Sequence, residues 1–271
     1  MKVFKFGGAS VKDANAVRNV CDILSLYKNE KIIVVVSAMG KTTNLLEKII
    51  ESKNNVEFEG LKNQLFSFHQ KIICDLHLQK ETLSIVEEAA KELNGSYKKE
   101  KKNKQAIYSA IVSIGEYLSS NILSGYLKKQ KFKASWCDAK SIITTTEKKI
   151  DSSIVWPLTQ KKFNNIVPLL FKKNTILVTQ GFIGKNQFEE TTTLGREGSD
   201  FSAAIFAYCG SADGVYIWKD VPGMLNADPK FFENTIKLDQ ISYREALELS
   251  YYGASVIHPK TIKPLHNKGI P

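Results

Sequence analysis

The amino-acid sequence predicts an α/β protein whose mostly parallel central sheet carries helices on both faces. Short β-branched runs recur along the 271-residue chain, and amphipathic stretches of helical length separate them. Strands buried on both faces have this nearly continuous apolar character, and their alternation with helices favours parallel pairing. The length suits one large α/β domain or two small ones.

Five apolar runs have the length of strands. They are VFKF near residue 4, KIIVVVS near 34, FKASWCD near 135, TILVTQGF near 178 and GVYIW near 216. Residues 44–128 are predicted mostly as helix, interrupted by a loop around the lysine-rich run at 98–104. Later in the chain, Ser242 and Glu245 have the spacing of a capping box, and we expect the helix that follows to end at Gly253.

Composition and charge exclude several classes of protein. No apolar run reaches about 18 residues, so no membrane span is expected, and no signal peptide precedes the first strand. The four cysteines are far apart, which favours buried thiols in a reducing cytoplasm over a metal site or a disulfide framework. The net charge of +10 comes mainly from dispersed lysines, which indicates a solvated surface rather than a nucleic-acid interface.

The segment Gly40-Lys41-Thr42 follows a strand, as the end of a nucleotide-binding P-loop would. A P-loop also requires a glycine five residues before Gly40, but Val35 occupies that position inside a β-branched run. A strand interior cannot fold its amides around a phosphate, so the P-loop interpretation fails. The hydroxyls of Ser37 and Thr43 near this strand end need another explanation, and helix capping would account for only one of them.

Other predicted strand ends carry groups suited to anions, and ligands in open α/β sheets bind beyond the carboxyl ends of strands. Lys5 precedes a Gly-Gly pair that either admits a phosphate or forms a simple turn. Arg196 lies at the start of an Ala-rich helix, whose N-terminus attracts anions, and Asp200 could cap that helix. Together these groups predict a site for two anions, as phosphoryl transfer requires.

Eight motifs in order resemble those of aspartokinases. They are KFGGAS from Lys5, SAMGKTTN, SIGE ending at Glu116, TQGF ending at Phe182, TTTLGREGSD, WKDVPG, NADP and YGASVIHPKT. The resemblance covers nearly the whole chain and is weakest between residues 52 and 105. It implies the amino acid kinase fold, a three-layer α/β/α sandwich over residues 1–271. Amino-acid binding would lie in the N-terminal part and nucleotide binding in residues 175–271, approximately.

The resemblance implies transfer of the ATP γ-phosphoryl group to the β-carboxylate of L-aspartate, with Mg²⁺ on the phosphates. The product would be 4-phospho-L-aspartate, which enters lysine, threonine and methionine synthesis. An aspartate carboxylate has a pKa of about 3.9 and is already ionised at pH 7, so no general base is required. The main task of the site would instead be to relieve repulsion between two anions.

The matching motifs also imply a role for each site residue. The catalytic residues would be Lys5 and Asp200, with Asp200 ordering Lys5 and the metal–phosphate group. Aspartate would be bound by Ser37, Thr43, Glu116, Phe182, Arg196 and Ser199. ATP would be bound by Lys5, Gly7, Gly8, Lys219, Asp220 and Lys230. In this assignment Arg196 takes a carboxylate and Glu116 faces the α-ammonium, while no side chain is assigned as a metal ligand.

Two departures from the family pattern affect these expectations. Ser255 stands where many aspartokinases carry a lysine, and we expect Lys219 or Lys230 to supply the missing charge. The sequence stops at HNKGIP, about where relatives continue into regulatory ACT domains. These residues are therefore expected to include no ACT domain, and a natural protein of 271 residues would show no feedback inhibition by lysine or threonine.

Two alternatives stay open at this point. One is a sister enzyme of the same fold, such as an acetylglutamate, glutamate 5- or uridylate kinase. The other is a non-catalytic subunit that keeps the fold. Glu116 favours an acceptor with a free amino group, and the presence of Lys5, Arg196 and Asp200 favours catalysis. The expected partners are L-aspartate and ATP, without nucleic acid or membrane, and a homodimer is compatible with the resemblance.

Overall fold

The computed structural model describes residues 1–99, 104–221, 223–228, 231–251 and 257–271. The strands are β1 (Lys2–Phe6), β2 (Ile32–Val36), β3 (Ala134–Cys137), β4 (Ile176–Gln180), β5 (Ile183–Lys185), β6 (Thr191–Thr193) and β7 (Gly214–Trp218). The helices are α1 (Ala14–Ser25), α2 (Thr42–Glu51), α3 (Asn55–Asp75), α4 (Gln79–Lys99), α5 (Lys104–Lys129), α6 (Trp156–Leu170), α7 (Gly198–Gly210), α8 (Tyr243–Tyr251) and α9 (Pro259–Lys268).

The five predicted apolar runs form the main sheet, in the order β3-β4-β2-β1-β7. Every neighbouring pair in this sheet is parallel, so all five carboxyl ends lie at one edge. Strands β5 and β6 form a separate antiparallel pair that the sequence analysis missed. The prediction of a mostly parallel α/β sheet is therefore confirmed.

Alternate side chains of the strands pack into two different cores. Phe4 and Phe6 face a core shared with helices α1 to α5, whereas Val3 faces the opposite core. The same alternation separates Val34 from Val35 in β2. Helices α6, α7 and α9 contribute to the second core. Because both faces of the sheet are covered, the strands read as continuous apolar runs, and the three-layer prediction is confirmed.

The helical region differs from the prediction in its boundaries. Helix α2 begins at Thr42, and breaks near residues 53 and 77 separate α2 from α3 and α3 from α4. Lys41 occupies the N-cap of α2 without a side-chain hydrogen bond, so neither Ser37 nor Thr43 caps this helix. Within the predicted loop at 98–104, residues 100–103 lie outside the described part of the chain.

The capping box at the start of α8 is present. The Ser242 backbone N–H donates to Glu245 Oε2 over 2.9 Å, and the Glu245 backbone N–H donates to Ser242 Oγ over 3.2 Å. The predicted end at Gly253 lies outside the described residues. No helix in the described ranges is both long and apolar enough to cross a membrane.

Candidate active site

A cavity of about 510 Å³ lies at the carboxyl edge of the main sheet. Nine of the predicted site residues line it: Lys5, Ser37, Thr43, Glu116, Phe182, Arg196, Ser199, Asp200 and Lys219. Gly7, Gly8 and Asp220 are not part of its lining. Lys230 and Ser255 lie outside the described residues. The sheet thus brings together residues that are up to 214 positions apart in sequence.

The register of the parallel strands explains why these residues meet. Phe6 of β1 pairs with Val36 of β2 on one side and with Trp218 of β7 on the other. The residues that follow these positions therefore leave the sheet at the same level. Ser37 and Lys219 are such residues, and Lys5 reaches the same edge from within β1.

A buried ion-pair network occupies one wall of the cavity. Lys5 Nζ lies 2.7 Å from Asp200 Oδ1, and Lys219 Nζ lies 2.9 Å from Asp200 Oδ2. Lys219 Nζ also lies 3.9 Å from Glu197 Oε2. Asp200 is in the first turn of α7, but the N-cap residue of this helix is Glu197. Asp200 therefore does not serve as the helix cap. One carboxylate holds two ammonium groups at the cavity, and Glu197 places a second carboxylate near Lys219.

Glu116, on helix α5, is a buried acidic side chain at the same cavity. The Ala38 backbone N–H donates a hydrogen bond to Oε1 of this side chain over 3.3 Å. Oε2 is buried and has no hydrogen-bond partner among the described residues. Burial raises the pKa of Glu116 to about 8. The ligand-free carboxyl group is therefore mostly neutral at pH 7, and a nearby cation would favour its ionised form.

The turn after β4 fits closely against the start of α7. A Cβ built on Gly181 would lie 2.5 Å from Ser199 Oγ, so only glycine allows this approach. Phe182 has a φ of +70°, a conformation that non-glycine residues rarely adopt. Its backbone N–H donates to Ser202 Oγ, and its carbonyl accepts from the Leu194 N–H. These bonds hold Phe182 at the cavity wall despite the strained backbone.

The Gly-Gly pair after β1 supports the neighbouring loop. A Cβ on Gly8 would lie 2.7 Å from the Ala38 carbonyl oxygen, so the second glycine is required for this backbone contact. A Cβ on Gly7 would lie 3.4 Å from Lys5 Nζ. Gly40, with a φ of +54°, donates its N–H to the Gly8 carbonyl. The Gly40-Lys41-Thr42 segment therefore braces the Gly-Gly turn rather than forming a phosphate loop.

Several lining residues were missed by sequence reasoning: Tyr108, Ile150, Thr193, Gly195, Glu197 and Gly198. Tyr108 precedes Glu116 by eight positions in α5, and helical periodicity places the two on one face, so this residue could have been found. Ile150 and Thr193 carry no comparable signal. Glu197 occupies the variable position of its motif and was given no role.

The electrostatics suit two anionic ligands and an ammonium group. Lys5, Lys219 and Arg196 bring three cations to the cavity, and Glu197 and Asp200 bring two carboxylates. No group of three or more histidine, cysteine, aspartate or glutamate side chains is placed to hold a metal within the described ranges. Mg²⁺ is commonly bound through one or two carboxylates, several waters and substrate phosphates, so these residues fit a metal that arrives with a nucleotide.

The whole chain is similar to known aspartokinases. The bifunctional aspartokinase/homoserine dehydrogenase of Buchnera aphidicola is 35% identical over 100% of this chain and 34% of its own length. Lysine-sensitive aspartokinase 3 of Escherichia coli is 30% identical over 99% of this chain and 60% of its own length. The chain thus spans between a third and three fifths of these two relatives.

A solved structure gives the same result. The crystal structure of E. coli aspartokinase III in complex with aspartate and ADP has a TM-score of 0.93 and is 29% identical to this chain. The match covers 100% of this chain and 60% of that one. The model of the amino acid kinase family matches residues 1–271. Because that match includes every residue described above, the chain belongs to the amino acid kinase family.

Proposed function

We propose that this domain is an aspartate kinase, which transfers the ATP γ-phosphoryl group to the β-carboxylate of L-aspartate. The observation that carries the proposal is the buried Oε2 of Glu116, which has no hydrogen-bond partner in the described part of the chain and belongs to a cavity that Arg196 also lines. A carboxylate and a guanidinium in one cavity suit the α-ammonium and the α-carboxylate of a free amino acid. The side-chain carboxylate of aspartate is then the group left for phosphorylation.

Binding of the substrate ammonium group would also convert Glu116 from its neutral to its ionised form. In the ligand-free cavity, burial keeps this carboxyl group mostly protonated at pH 7. An adjacent cation lowers the pKa of a carboxyl group, so Glu116 ionises and pairs with the substrate. Thr43, Ser199 and Ser37 offer hydroxyls in the same cavity, and Phe182 also lines it. Thr43 and Ser199 would bind the substrate, and Ser37 would lie near the reacting groups.

The phosphoryl group would be received near the Lys5–Asp200 pair. Because Asp200 binds the Lys5 ammonium over 2.7 Å, the charge of Lys5 is fixed before any ligand arrives. A charge held in place needs no reorganisation when negative charge develops in the transition state. The acceptor carboxylate is already ionised, so no side chain is assigned as a base. Mg²⁺ would enter as the MgATP complex and neutralise part of the phosphate charge.

Nucleotide binding is assigned mainly to the C-terminal part, from about residue 175 onward. Lys219 lies beside Asp200 at the cavity and can turn towards a phosphate, which would compensate for Ser255 at a position where relatives carry lysine. Lys230 is the other candidate for this charge. Gly7 and Gly8 follow Lys5 closely in the sequence and would lie near the phosphates. Asp220 follows Lys219 on an exposed turn, where it would contact the ribose or the adenine. The similar E. coli structure that contains aspartate and ADP supports both ligands.

Three of the alternatives have less support, whereas L-glutamate has the same α-groups as aspartate and is separated from it by the acceptor assay below. Acetylated acceptors and nucleoside monophosphates lack the α-ammonium group that the buried Glu116 Oε2 would accept. A non-catalytic subunit would have no need to bury a lysine–aspartate pair in a ligand cavity, since buried charges are costly unless they serve a purpose. The proposed pathway is lysine, threonine and methionine synthesis. Four free thiols support the proposed cytoplasmic location, and a homodimer stays a proposal.

Trapping of an acyl phosphate tests this function. The protein is incubated with MgATP, hydroxylamine and one acceptor at a time: L-aspartate, L-glutamate or N-acetyl-L-glutamate. We expect hydroxamate with L-aspartate alone. Hydroxamate with another acceptor would assign the domain to a sister activity, and nucleotide binding without any hydroxamate would favour the non-catalytic alternative.

A further inference from the structure

An ion pair joins two segments of the chain that are distant in sequence. Lys260, in the first turn of α9, donates a hydrogen bond from Nζ to Asp151 Oδ1. This bond is the main reason why the pKa of Asp151 lies below its usual value. Asp151 also has Lys148 Nζ at 3.6 Å from its other oxygen. None of these three residues has a role in the function proposed above.

The carboxylate of Asp151 lies against the loop that carries Arg196. A Cβ built on Gly195 would lie 2.2 Å from Asp151 Oδ1 and 2.9 Å from its Cγ. The carboxylate thus fills the space that a side chain at position 195 would occupy. Gly195 has a φ of +81°, so any other residue would also strain the backbone there. Gly195 is the residue immediately before Arg196, so the position of Gly195 determines the position of the Arg196 backbone.

Backbone hydrogen bonds fix the Asp151 segment to the same loop. The Ser152 N–H donates to the Thr193 carbonyl over 2.8 Å, and the Thr193 N–H donates to the Lys149 carbonyl over 2.8 Å. Asp151 has a φ of +53°, which turns the chain between these two bonds. Residues 149–152 therefore form a support for residues 193–195, and Lys260 holds the Asp151 side chain of that support.

We propose that Asp151 and Lys260 are positioning residues that hold Arg196 in place to bind the α-carboxylate of the substrate amino acid. This inference rests on the proposed function. Arg196 is exposed on the cavity wall, and the Gly198 N–H donates to the Gly195 carbonyl, which closes the turn around it. The contact of Asp151 with Gly195 holds one end of this turn, and helix α7, which begins at Gly198, holds the other end. Helix α9, which carries Lys260, also packs against α7. The Asp151–Lys260 pair therefore links the Gly195 end of the turn to the same helices that hold its α7 end.

Steady-state kinetics of the hydroxamate reaction test the proposal in the full chain. Asp151→Asn keeps the size of the side chain and its tolerance of positive φ but removes the charge. Lys260→Met removes the opposite charge, and Lys260→Arg keeps it. We expect the first two variants to raise the aspartate KM roughly fivefold, because a partly exposed ion pair contributes modestly, while the ATP KM stays within twofold. Lys260→Arg should retain the wild-type aspartate KM.

Lys263→Met is the matched control, since Lys263 lies one turn further along α9 on an exposed position. It should leave both KM values unchanged. An aspartate KM that is the same in Asp151→Asn and in the wild type would overturn the proposal. Equal rises in the aspartate and ATP KM values would also overturn it, because they would indicate a general loss of structure.

Hydrogen–deuterium exchange provides a readout that does not depend on catalysis. In Asp151→Asn and Lys260→Met, peptides that cover residues 193–199 should exchange at least threefold faster, with no change in β1 or β2. Unchanged exchange in that loop would contradict the positioning role whether or not the domain phosphorylates aspartate. A wild-type protein without turnover would contradict the proposed function and leave the exchange result to decide the positioning role.

Discussion

Lys5 Nζ and Asp200 Oδ1 lie 2.7 Å apart, and both side chains are almost completely buried at the cavity wall. The pair joins strand β1, which lies between β2 and β7, to the first turn of α7. A single carboxylate thereby fixes the position of an ammonium group at the carboxyl edge of the sheet. The proposed chemistry depends on this relationship, since it places a fixed cation where a phosphoryl group would be transferred.

Loss of the Lys5 charge should reduce turnover far more than substrate binding. In Lys5→Met we expect kcat to fall on the order of 10²–10³-fold, as when one well-aimed donor is removed from a transition state. Asp200 keeps Lys219 as a partner, so the variant should fold. The hydroxamate assay measures kcat, and circular dichroism checks folding. A folded Lys5→Met with more than a tenth of wild-type kcat would contradict the assignment.

Substitution of Asp200 tests the same pair from the other side. Asp200→Asn removes the charge that holds Lys5 and Lys219 but retains the size of the side chain. We expect a fall in kcat of about 10²-fold, because the two ammonium groups lose their common anchor and repel each other. Retention of full activity would show that the lysines are positioned by other contacts.

Glu116 should make the stability of the ligand-free domain depend on pH. Burial raises its pKa from 4.5 to about 8. The unfolded chain loses this proton near pH 4.5 whereas the folded chain keeps it, so stability falls as the pH rises from 4.5 through 8. At pH 8, Glu116→Gln should exceed the wild type in free energy of unfolding by roughly 2–4 kcal/mol, with a much smaller difference at pH 5.

Denaturant unfolding at both pH values measures this difference. L-aspartate should stabilise the wild type more than Glu116→Gln, because the neutral amide can accept a hydrogen bond from the ammonium group but cannot form an ion pair with it. An equal difference at pH 5 and pH 8 would mean that the Glu116 carboxyl titrates normally in the folded domain.

Lys219 should contribute to nucleotide affinity. We expect Lys219→Ala to raise the ATP KM roughly tenfold, since a charge-assisted contact to phosphate is worth about 1.5–3 kcal/mol. The aspartate KM should change less. Lys71→Ala is the control, because Lys71 pairs with Asp75 on the surface of α3. If both Lys219→Ala and Lys230→Ala left the ATP KM unchanged, neither lysine would compensate for Ser255.

His69 should limit stability in acid. Burial lowers its pKa from 6.5 to about 4. Between these pH values the histidine is protonated in the unfolded chain but neutral in the folded chain. Stability is therefore lost as the pH falls from 6.5 to 4. Compared with the wild type, His69→Leu should lose roughly 2–3 kcal/mol less over this interval. His77→Asn, at an exposed position with positive φ, is the control and should follow the wild type.

The main sheet could be predicted because its five strands are buried on both faces and leave continuous apolar runs. Strands β5 and β6 could not, since each has three residues and no apolar alternation. The helix breaks near residues 53 and 77 were missed because they lie inside long amphipathic stretches. Local sequence therefore identified the buried strands but not the short elements that depend on tertiary packing.

The candidate site shows the same division. Lys5, Arg196 and Asp200 stand at predicted strand or helix ends, where chemistry-bearing residues are easy to recognise. Ile150 and Asp151 lie in a loop whose position is set by hydrogen bonds to Thr193. The local sequence does not predict that contact. The approach of Gly195 to Asp151 likewise appears only in three dimensions.

The identity of the aspartyl hydroxamate tests the central claim most directly. The protein is incubated with MgATP, L-aspartate and hydroxylamine, and the product is identified by NMR against authentic α- and β-hydroxamates. If Glu116 and Arg196 bind the α-ammonium and α-carboxylate, only the β-carboxylate can reach the phosphoryl group, so the account predicts the β-hydroxamate. Formation of the α-hydroxamate, or ATP turnover without any hydroxamate, would contradict it.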